Sequence, residues 1–358
     1  MRIAIPTEIK PKEGRVGLIP HAVADLVHHG HEVYIQSDAG LLSGFSDADF
    51  QAAGAIICDT AEETYASGEM IIKVKEPIAG DLALLREDHL LFCYLHLAPC
   101  PALTRSLLDI GLTAVAFETV EERGGLPLLR PMSQIAGRVA IDAGSHYLHQ
   151  SMGGRGVLLG GVPGTDRGHV VIIGGGVAGY SAAMTAAGMG ALVTVFDKRQ
   201  EALAMAASLG DNVTARYAYR EAIAEALTDA DLVVGAVLIP GAKAPHVVDR
   251  EMVQNMVNKS VIVDISIDQG GCIETMKPTN YLDPVFEAEG VLHMGVTNMP
   301  GAVPRTSSQA LSGAILPYAL KLAAGELAIE PALQKGINVR AGDIIHPALQ
   351  EVFSAGVS

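Results

Sequence analysis

Short aliphatic runs alternate with stretches of helical period from the first residues onward. Residues 2–5 (RIAI) predict a strand. Residues 22–29 place Val23, Leu26 and Val27 at i, i+3 and i+4, one face of a helix, and Gly30 stops it. Residues 32–36 predict a second strand, and further strands fall at 55–58, 70–75, 90–96 and 113–117. Polar or alanine-rich stretches of helical length lie between them, such as 47–53 and 101–109. Such alternation implies a mostly parallel, doubly wound sheet, so about the first 125 residues read as one α/β unit.

A Gly/Pro patch at 124–131 interrupts the pattern. Residues 133–150 predict a long helix, and the glycine-rich segment 153–164 (GGRGVLLGGVPG) a loop or short hairpin. A second α/β series follows, with strands at 169–173, 192–196, 231–237, 260–265 and 291–294, and 307–324 predicts another long helix. The two long helices bracket the second series. The expected fold class is therefore α/β, with two Rossmann-like, doubly wound parallel-sheet domains linked by long helices. The expected division is 1–130 with 305–358 as one domain and 131–304 as the other. The stretch 326–358 is moderately polar and carries little signal.

Composition narrows the class. With 358 residues and 49% apolar content the chain can bury a large core, and disorder is excluded. Aromatics are 4% with no Trp, and there are 39 glycines, so the core must be aliphatic with many positions that need no Cβ. The 25 Lys and Arg against 40 Asp and Glu give a net charge of −15, which repels phosphate backbones and anionic membranes. Neither nucleic acid nor a membrane is therefore an expected partner. Four cysteines form no CxxC and no zinc spacing, which suits reduced thiols. The start, MRIAIPTEIK, lacks the apolar core of a signal peptide, and no run reaches the about 18 apolar residues of a membrane span. A cytoplasmic location is expected.

The sharpest local signal is HVVIIGGGVAGYSAAMTAAGMGALVTVFDKR. An apolar strand runs into G-x-G-x-x-G, with Gly174, Gly176 and Gly179 in register. An alanine-rich helix and a second strand follow, ending in Asp197, 23 residues after the first glycine. Gly174 suits the tight turn, Gly176 the approach of a pyrophosphate, and Gly179 the close packing of helix on strand. The helix N-terminus offers N–H groups to phosphates. Asp197 can accept the hydroxyls of an adenosine ribose and would repel a 2′-phosphate, so NAD is the expected cofactor; Lys198 and Arg199, which follow, soften that preference. Downstream, GAVLIPGAKAP (235–245) and DISIDQGG (264–271) follow strands where such sheets hold ligands. By position Asp268 faces the nicotinamide or serves as a turn former, and position alone leaves both open.

Three basic groups of the first unit lie where strands end or turns begin. Lys75 closes the strand MIIKVK, with Lys73 on its face and Met70, Ile72 and Val74 on the other. His96 closes LLFCYLH, and Arg15 sits in the turn-rich KEGRVGLIP. Spacing alone does not bring the three together.

Ten segments in order resemble the alanine dehydrogenase family: MRIAIPTEIKPKEGRVGLIP, KVKEP, LHLA, FETV, MSQIAGR, GGRGVLLGGVPG, GGGVAG, GAVLIPGAKAP, DISIDQGG and TNMPGAVPRTSSQAL. The resemblance implies NAD-dependent interconversion of L-alanine with pyruvate and ammonium, a homo-oligomer, typically a hexamer, and an active site in the cleft between the domains. It implies that Arg15 and Lys75 bind substrate and that His96 and Asp268 do acid–base work. On the cofactor side it implies Ser133, Val177, Ala178, Asp197, Val237, Leu238, Asp268, Asn298 and Met299, with Lys277 as a further basic group. Phe117 stands where FETV often begins with Tyr, and Tyr217-Ala218 lacks a serine that some relatives place near the adenosine. No histidine lies around 324–326, so no metal site is expected. Arg15, Lys75 and His96 are expected to gather positive charge in the site. Two other readings remain: the NAD-binding component of a proton-translocating transhydrogenase, and a related dehydrogenase for another small amino acid.

Overall fold

The computed structural model describes residues 1–237 and 245–355. The chain divides into two compact units, residues 1–132 with 303–358, and residues 133–302.

The first unit opens with β1 (Arg2–Ile5), α1 (Pro20–His28), β2 (Glu32–Gln36), α2 (Asp47–Ala52), β3 (Ile56–Cys58) and α3 (Ala61–Ser67). It continues with β4 (Met70–Ile72), α4 (Ala79–Leu82), β5 (Leu90–Cys93), α5 (Pro101–Ile110) and β6 (Thr113–Ala116). These six strands pair in parallel, and Ile3, Ala4, Ile5 and Met70 to Ile72 are fully buried, as a sheet covered on both faces requires. Pro20 at the first turn starts α1, which buries Ala22, Val23 and Leu26. Reciprocal bonds between Ser46 and Asp49 start α2. Helix α3 fills the stretch between the third and fourth strands; its start is capped by Thr60, which accepts from the Glu63 backbone.

The strands β4 and β5 stop at Ile72 and Cys93, short of Lys75 and His96. The expected alternation of Lys73 and Lys75 on one strand face therefore does not apply. Lys73 and Val74 are both buried, and Lys75 is nearly so.

Helix α6 (Arg130–Tyr147) carries the chain into the second unit, and residues 153–164 form a loop with no strand in it. There follow β7 (His169–Ile173), α7 (Val177–Gly188), β8 (Leu192–Asp197), α8 (Gln200–Ala207), β9 (Val213–Tyr217), α9 (Arg220–Leu227) and β10 (Leu232–Gly235). The unit is completed by α10 (Arg250–Gln254), β11 (Val261–Asp264), β12 (Val285–Ala288) and β13 (Val291–Met294). The sheet order is β12-β13-β11-β10-β7-β8-β9, all parallel except the β12 edge. Polar Thr214 and Arg216 hid β9, and half-buried Val285 and Phe286 hid β12.

The chain returns through α11 (Pro304–Ala323), then α12 (Pro331–Gly336), β14 (Ile337–Arg340), β15 (Asp343–Ile344) and α13 (Pro347–Ala355). The last stretch thus carries helices and strands as far as residue 355. β14 pairs antiparallel with β6, so the first sheet runs β15-β14-β6-β5-β4-β1-β2-β3. β14 was illegible because it is short and has Asn338 inside it, whose amide donates to Thr119 Oγ1 at 3.2 Å. Among the described residues no helix is long and apolar enough to cross a membrane. The four cysteines are free thiols.

If the return segment is part of the core, truncating fully buried Leu333 in α12 must leave a cavity. Leu333→Ala is expected to lower unfolding free energy by about 2–5 kcal/mol. Urea unfolding checks this, and an unchanged midpoint would remove the segment from the core.

Candidate active site

Four neighbouring parallel strands, β1, β4, β5 and β6, deliver their carboxyl ends to one edge of the first sheet. The loop after β1 carries Glu8, Glu13 and Arg15, that after β4 Lys73 and Lys75, that after β5 His96, and that after β6 Glu118. Arg15 is 3% exposed. Its Nε donates to Glu13 Oε1 at 2.7 Å and its Nη2 to Oε2 at 2.5 Å, a two-pronged pair that fixes the guanidinium plane. Burial alone would lower its pKa, but the Glu13 carboxylate overrides this and raises it. Nη1 lies 3.2 Å from Met132 Sδ. The loop itself is pinned from α11: the Val16 and Ile19 backbone N–H groups donate to Ser308 and Ser312 Oγ, each at 3.0 Å.

Lys73 has no exposed side-chain surface, and its Nζ lies 3.1 Å from Asp81 Oδ1 and 3.4 Å from Glu8 Oε2. Tyr65 Oη donates to the same Asp81 oxygen at 2.7 Å. Glu8 Oε1 accepts the backbone N–H of Val74 at 2.6 Å and of Lys75 at 3.4 Å. The buried ions thereby hold the backbone that presents Lys75. Burial raises the Glu8 pKa, with Lys73 opposing it. Glu76, next in the chain, is pushed up by burial but held low on balance by Lys75 and Lys10.

His96 has φ +48°, the left-handed region that a non-glycine residue adopts only when its surroundings enforce it. Glu118 supplies the enforcement. Its Oε1 accepts the His96 backbone N–H at 2.6 Å and that of Leu95 at 3.1 Å. The imidazole lies parallel to the Tyr94 ring, 5.8 Å between centroids, and Nδ1 is 4.0 Å from Glu118. Tyr94 is anchored by its Oη donating to the Leu128 carbonyl at 2.7 Å. Phe117 packs edge-on against Phe92 and Tyr94, so its ring fills core. Carboxylates interleave with the cations at this edge, Glu13 beside Arg15 and Glu8 and Asp81 beside Lys73.

In the second unit β7 runs into Gly174, whose φ is +101°. A Cβ there would lie 2.6 Å from the Ala236 carbonyl oxygen, and one on Gly179 only 1.7 Å from the Gly174 oxygen. Both positions therefore exclude any larger residue. A Cβ on Gly137 of α6 would meet the Ala178 oxygen at 2.1 Å, so α6 packs against the start of α7; Ser133 lies one turn earlier on α6. Val177 and Ala178 form the first turn of α7. A Cβ on Gly176 would find only Arg199 Nη2 within reach, at 3.8 Å. This cradle of small residues and helix N–H groups fits a pyrophosphate. Asp197, at the end of β8, accepts the Gly175 N–H at 2.8 Å.

β11 ends in Asp264, fully buried, which accepts backbone N–H groups from Ser266 (2.9 Å), Cys272 (2.8 Å) and Ile273 (3.2 Å). It thereby closes the loop whose 3-10 turn, Ile265–Gln269, carries exposed Asp268. Burial outweighs those bonds and pushes the Asp264 pKa up to about 6. Asn298 has φ +65°, and Met299 starts the next turn, its carbonyl accepting from Tyr281 Oη at 2.8 Å. Lys277 lies 4.5 Å over the Phe286 ring of β12, and β13, β11 and β10 stand between that strand and β7 in the sheet order. Val237 follows β10, and Leu238 lies outside the described residues.

A family model for the alanine dehydrogenase/PNT N-terminal domain matches residues 4–136, and one for the C-terminal domain matches residues 140–347. An alanine dehydrogenase of Mycolicibacterium smegmatis is 47% identical over 98% of this chain and 96% of its own length. A solved L-alanine dehydrogenase is 49% identical with a TM-score of 0.95, covering 99% of both chains. A transhydrogenase from Sinorhizobium meliloti is more distant, 26% identical with a TM-score of 0.84, covering 97% of this chain and all of its own. The chain belongs to the alanine dehydrogenase/PNT family.

An alanine dehydrogenase of this kind is a nicotinamide-dinucleotide-dependent enzyme acting on small molecules. Around the residues that the family resemblance singled out stand others to which sequence reading gave no role: Glu8, Glu13, Lys73, Tyr94, Glu118 and Asp264. They act on backbone or on neighbouring side chains and form no motif of their own. Only their place inside the quoted segments TEIKPKEGR, KVKEP, LLFCYLH, FETV and DISIDQGG marked them.

Asp264 sets a pH dependence. The folded carboxyl keeps its proton to about pH 6, whereas an unfolded aspartate releases it near about 3.9. Folding thus takes up a proton between those values. The stability due to this group is greatest below about pH 4 and falls by about 3 kcal/mol as pH rises to 6, then stays level. Unfolding free energy should fall more steeply, or rise less, between pH 4 and 6 in the parent than in Asp264→Asn. Equal slopes would contradict the raised pKa.

Proposed function

We propose that the protein catalyses the NAD-dependent oxidative deamination of L-alanine to pyruvate and ammonium, and its reversal. Full-length relatedness to alanine dehydrogenases supports the reaction. The observation that carries the residue assignment is the delivery of Arg15, Lys75 and His96 to one edge by neighbouring parallel strands.

The residue roles follow from the demands of the reaction. Arg15 receives the substrate carboxylate, its guanidinium already oriented by Glu13. Lys75 binds the same carboxylate or the pyruvate carbonyl and stabilises negative charge that develops there. His96 takes a proton from the alanine ammonium, because only a neutral amine can push a hydride off Cα. A nicotinamide, when bound, would supply the acceptor for that hydride. After losing that proton to solvent, His96 takes another from the water that attacks the iminium and returns it to the nitrogen as ammonia leaves, the hydroxyl proton of the collapsing carbinolamine going with it as ammonium. Asp268 orients that water and offsets the cationic charge of the iminium.

Gly174, Gly176 and Gly179, with the first turn of α7 through Val177 and Ala178, hold the pyrophosphate. Asp197 accepts the ribose, which favours NAD over its 2′-phosphorylated form. On the family pattern Ser133, Val237, Lys277, Asn298 and Met299 are assigned to the remainder of the cofactor site, as is Leu238, which lies outside the described residues. On the same resemblance the protein is read as a cytoplasmic homo-oligomer of the hexameric type.

NADH oxidation should require pyruvate and ammonium together and proceed without any membrane component. Dependence on a membrane partner would favour the transhydrogenase reading instead. A panel of 2-oxoacids separates alanine from glycine chemistry, since one methylene in a pocket is worth only about 1–3 kcal/mol. His96→Ala should lower turnover by about 10²–10⁴ with NADH binding retained. Near-normal turnover in that variant would remove His96 from the acid–base role.

A further inference from the structure

The two oxygens of Asp197 already receive four N–H groups. Oδ1 accepts from the Arg199 backbone at 2.8 Å and from Arg199 Nε at 3.1 Å. Oδ2 accepts from the Gly175 backbone at 2.8 Å and from Arg199 Nη2 at 3.0 Å. A carboxylate has about four such acceptor positions, so this one is full. Burial alone would raise the Asp197 pKa, but these bonds hold it low.

The four donors are not equivalent. The two backbone donors belong to the glycine turn and the start of α8. The two guanidinium donors sit on a side chain that is 62% exposed, against 9% for Asp197. Ribose hydroxyls can reach Asp197 only in place of Nε and Nη2. The same guanidinium is the one group that a Cβ on Gly176 would approach. It therefore stands between the acid for the ribose and the glycine over which a pyrophosphate would pass.

We propose that Arg199 determines dinucleotide specificity by competing with the ribose hydroxyls for Asp197 and, once displaced, turning its fork to phosphate. It weakens binding of NADH and strengthens binding of the 2′-phosphorylated NADPH, so it narrows the preference that Asp197 alone would impose. Arginine suits both states because one planar fork matches carboxylate and phosphate alike. The proposal rests on the reading of residues 174–197 as the dinucleotide site.

The test is direct binding of NADH and NADPH to the full chain, by nucleotide fluorescence or calorimetry, without turnover. An ion pair this exposed is weak, so the changes are severalfold. Arg199→Ala should bind NADH about two- to fivefold more tightly and NADPH about fivefold or more weakly. Lys198→Ala removes the neighbouring charge but no bond to Asp197, and should not tighten NADH. Unchanged or weaker NADH binding in Arg199→Ala overturns the proposal, as does equal tightening in both variants, which would trace the effect to net charge. If the parent chain binds neither dinucleotide, the site reading itself fails.

Discussion

A charged group cannot be taken into the end of an apolar parallel sheet unless a countercharge goes with it. Much of the first unit's chemistry follows from that constraint. Lys73 is completely enclosed and stands between Glu8 and Asp81. Arg15 is enclosed and gripped by Glu13. Each carboxylate that answers a cation also binds backbone or a second side chain, so the charges and the loop shapes are specified together. Glu8 fixes Val74 and Lys75, Asp81 accepts Ile78 N–H and Tyr65, and Glu118 bends the chain at His96. Removing one member would leave a buried charge unmatched and would also release a loop.

The second unit meets a different constraint, the volume of a single Cβ. At Gly174, Gly179 and Gly137 an added methyl would overlap a backbone oxygen. The turn, the first turn of α7 and the side of α6 are thereby brought so close that N–H groups and not side chains form the surface. A fixed surface of that kind recognises phosphate without relying on net charge. This reconciles a protein of net charge −15 with an anionic ligand. Asp264 performs for the loop after β11 what the glycines perform for the loop after β7, closing it with three backbone bonds to one carboxylate.

Elements with a strong apolar period were legible before any coordinates: β1, β2, β7, β8, β10 and β11 fall where the runs predict them. So do the long helices α6 and α11, within a few residues. Elements that draw their stability from a neighbour were not. Strand β9 alternates with polar residues on an edge, β12 is a half-exposed edge, and β14 depends on pairing with β6 across more than 200 residues of chain. Apolar runs also overshot strand ends. Leu95 and Val74 are buried beyond the ends of β5 and β4, and hydrophobicity reports burial without marking where a strand ends.

Sequence by itself determined the two α/β series, the dinucleotide fingerprint and the family, because these rest on local period and on glycines whose spacing is itself the signal. The family motifs marked Arg15, Lys75 and His96 one by one. Only the tertiary structure decided what surrounds them. It joined Glu13 to Arg15, Glu8 and Lys73 to the Lys75 backbone, and Glu118 and Tyr94 to His96. Only it showed that Asp197 already has its acceptor positions filled by Arg199 and the Gly175 backbone. The reason is physical: burial, countercharge and hydrogen-bond capacity belong to residues that meet across strands, and adjacency across strands is set by topology and not by spacing along the chain.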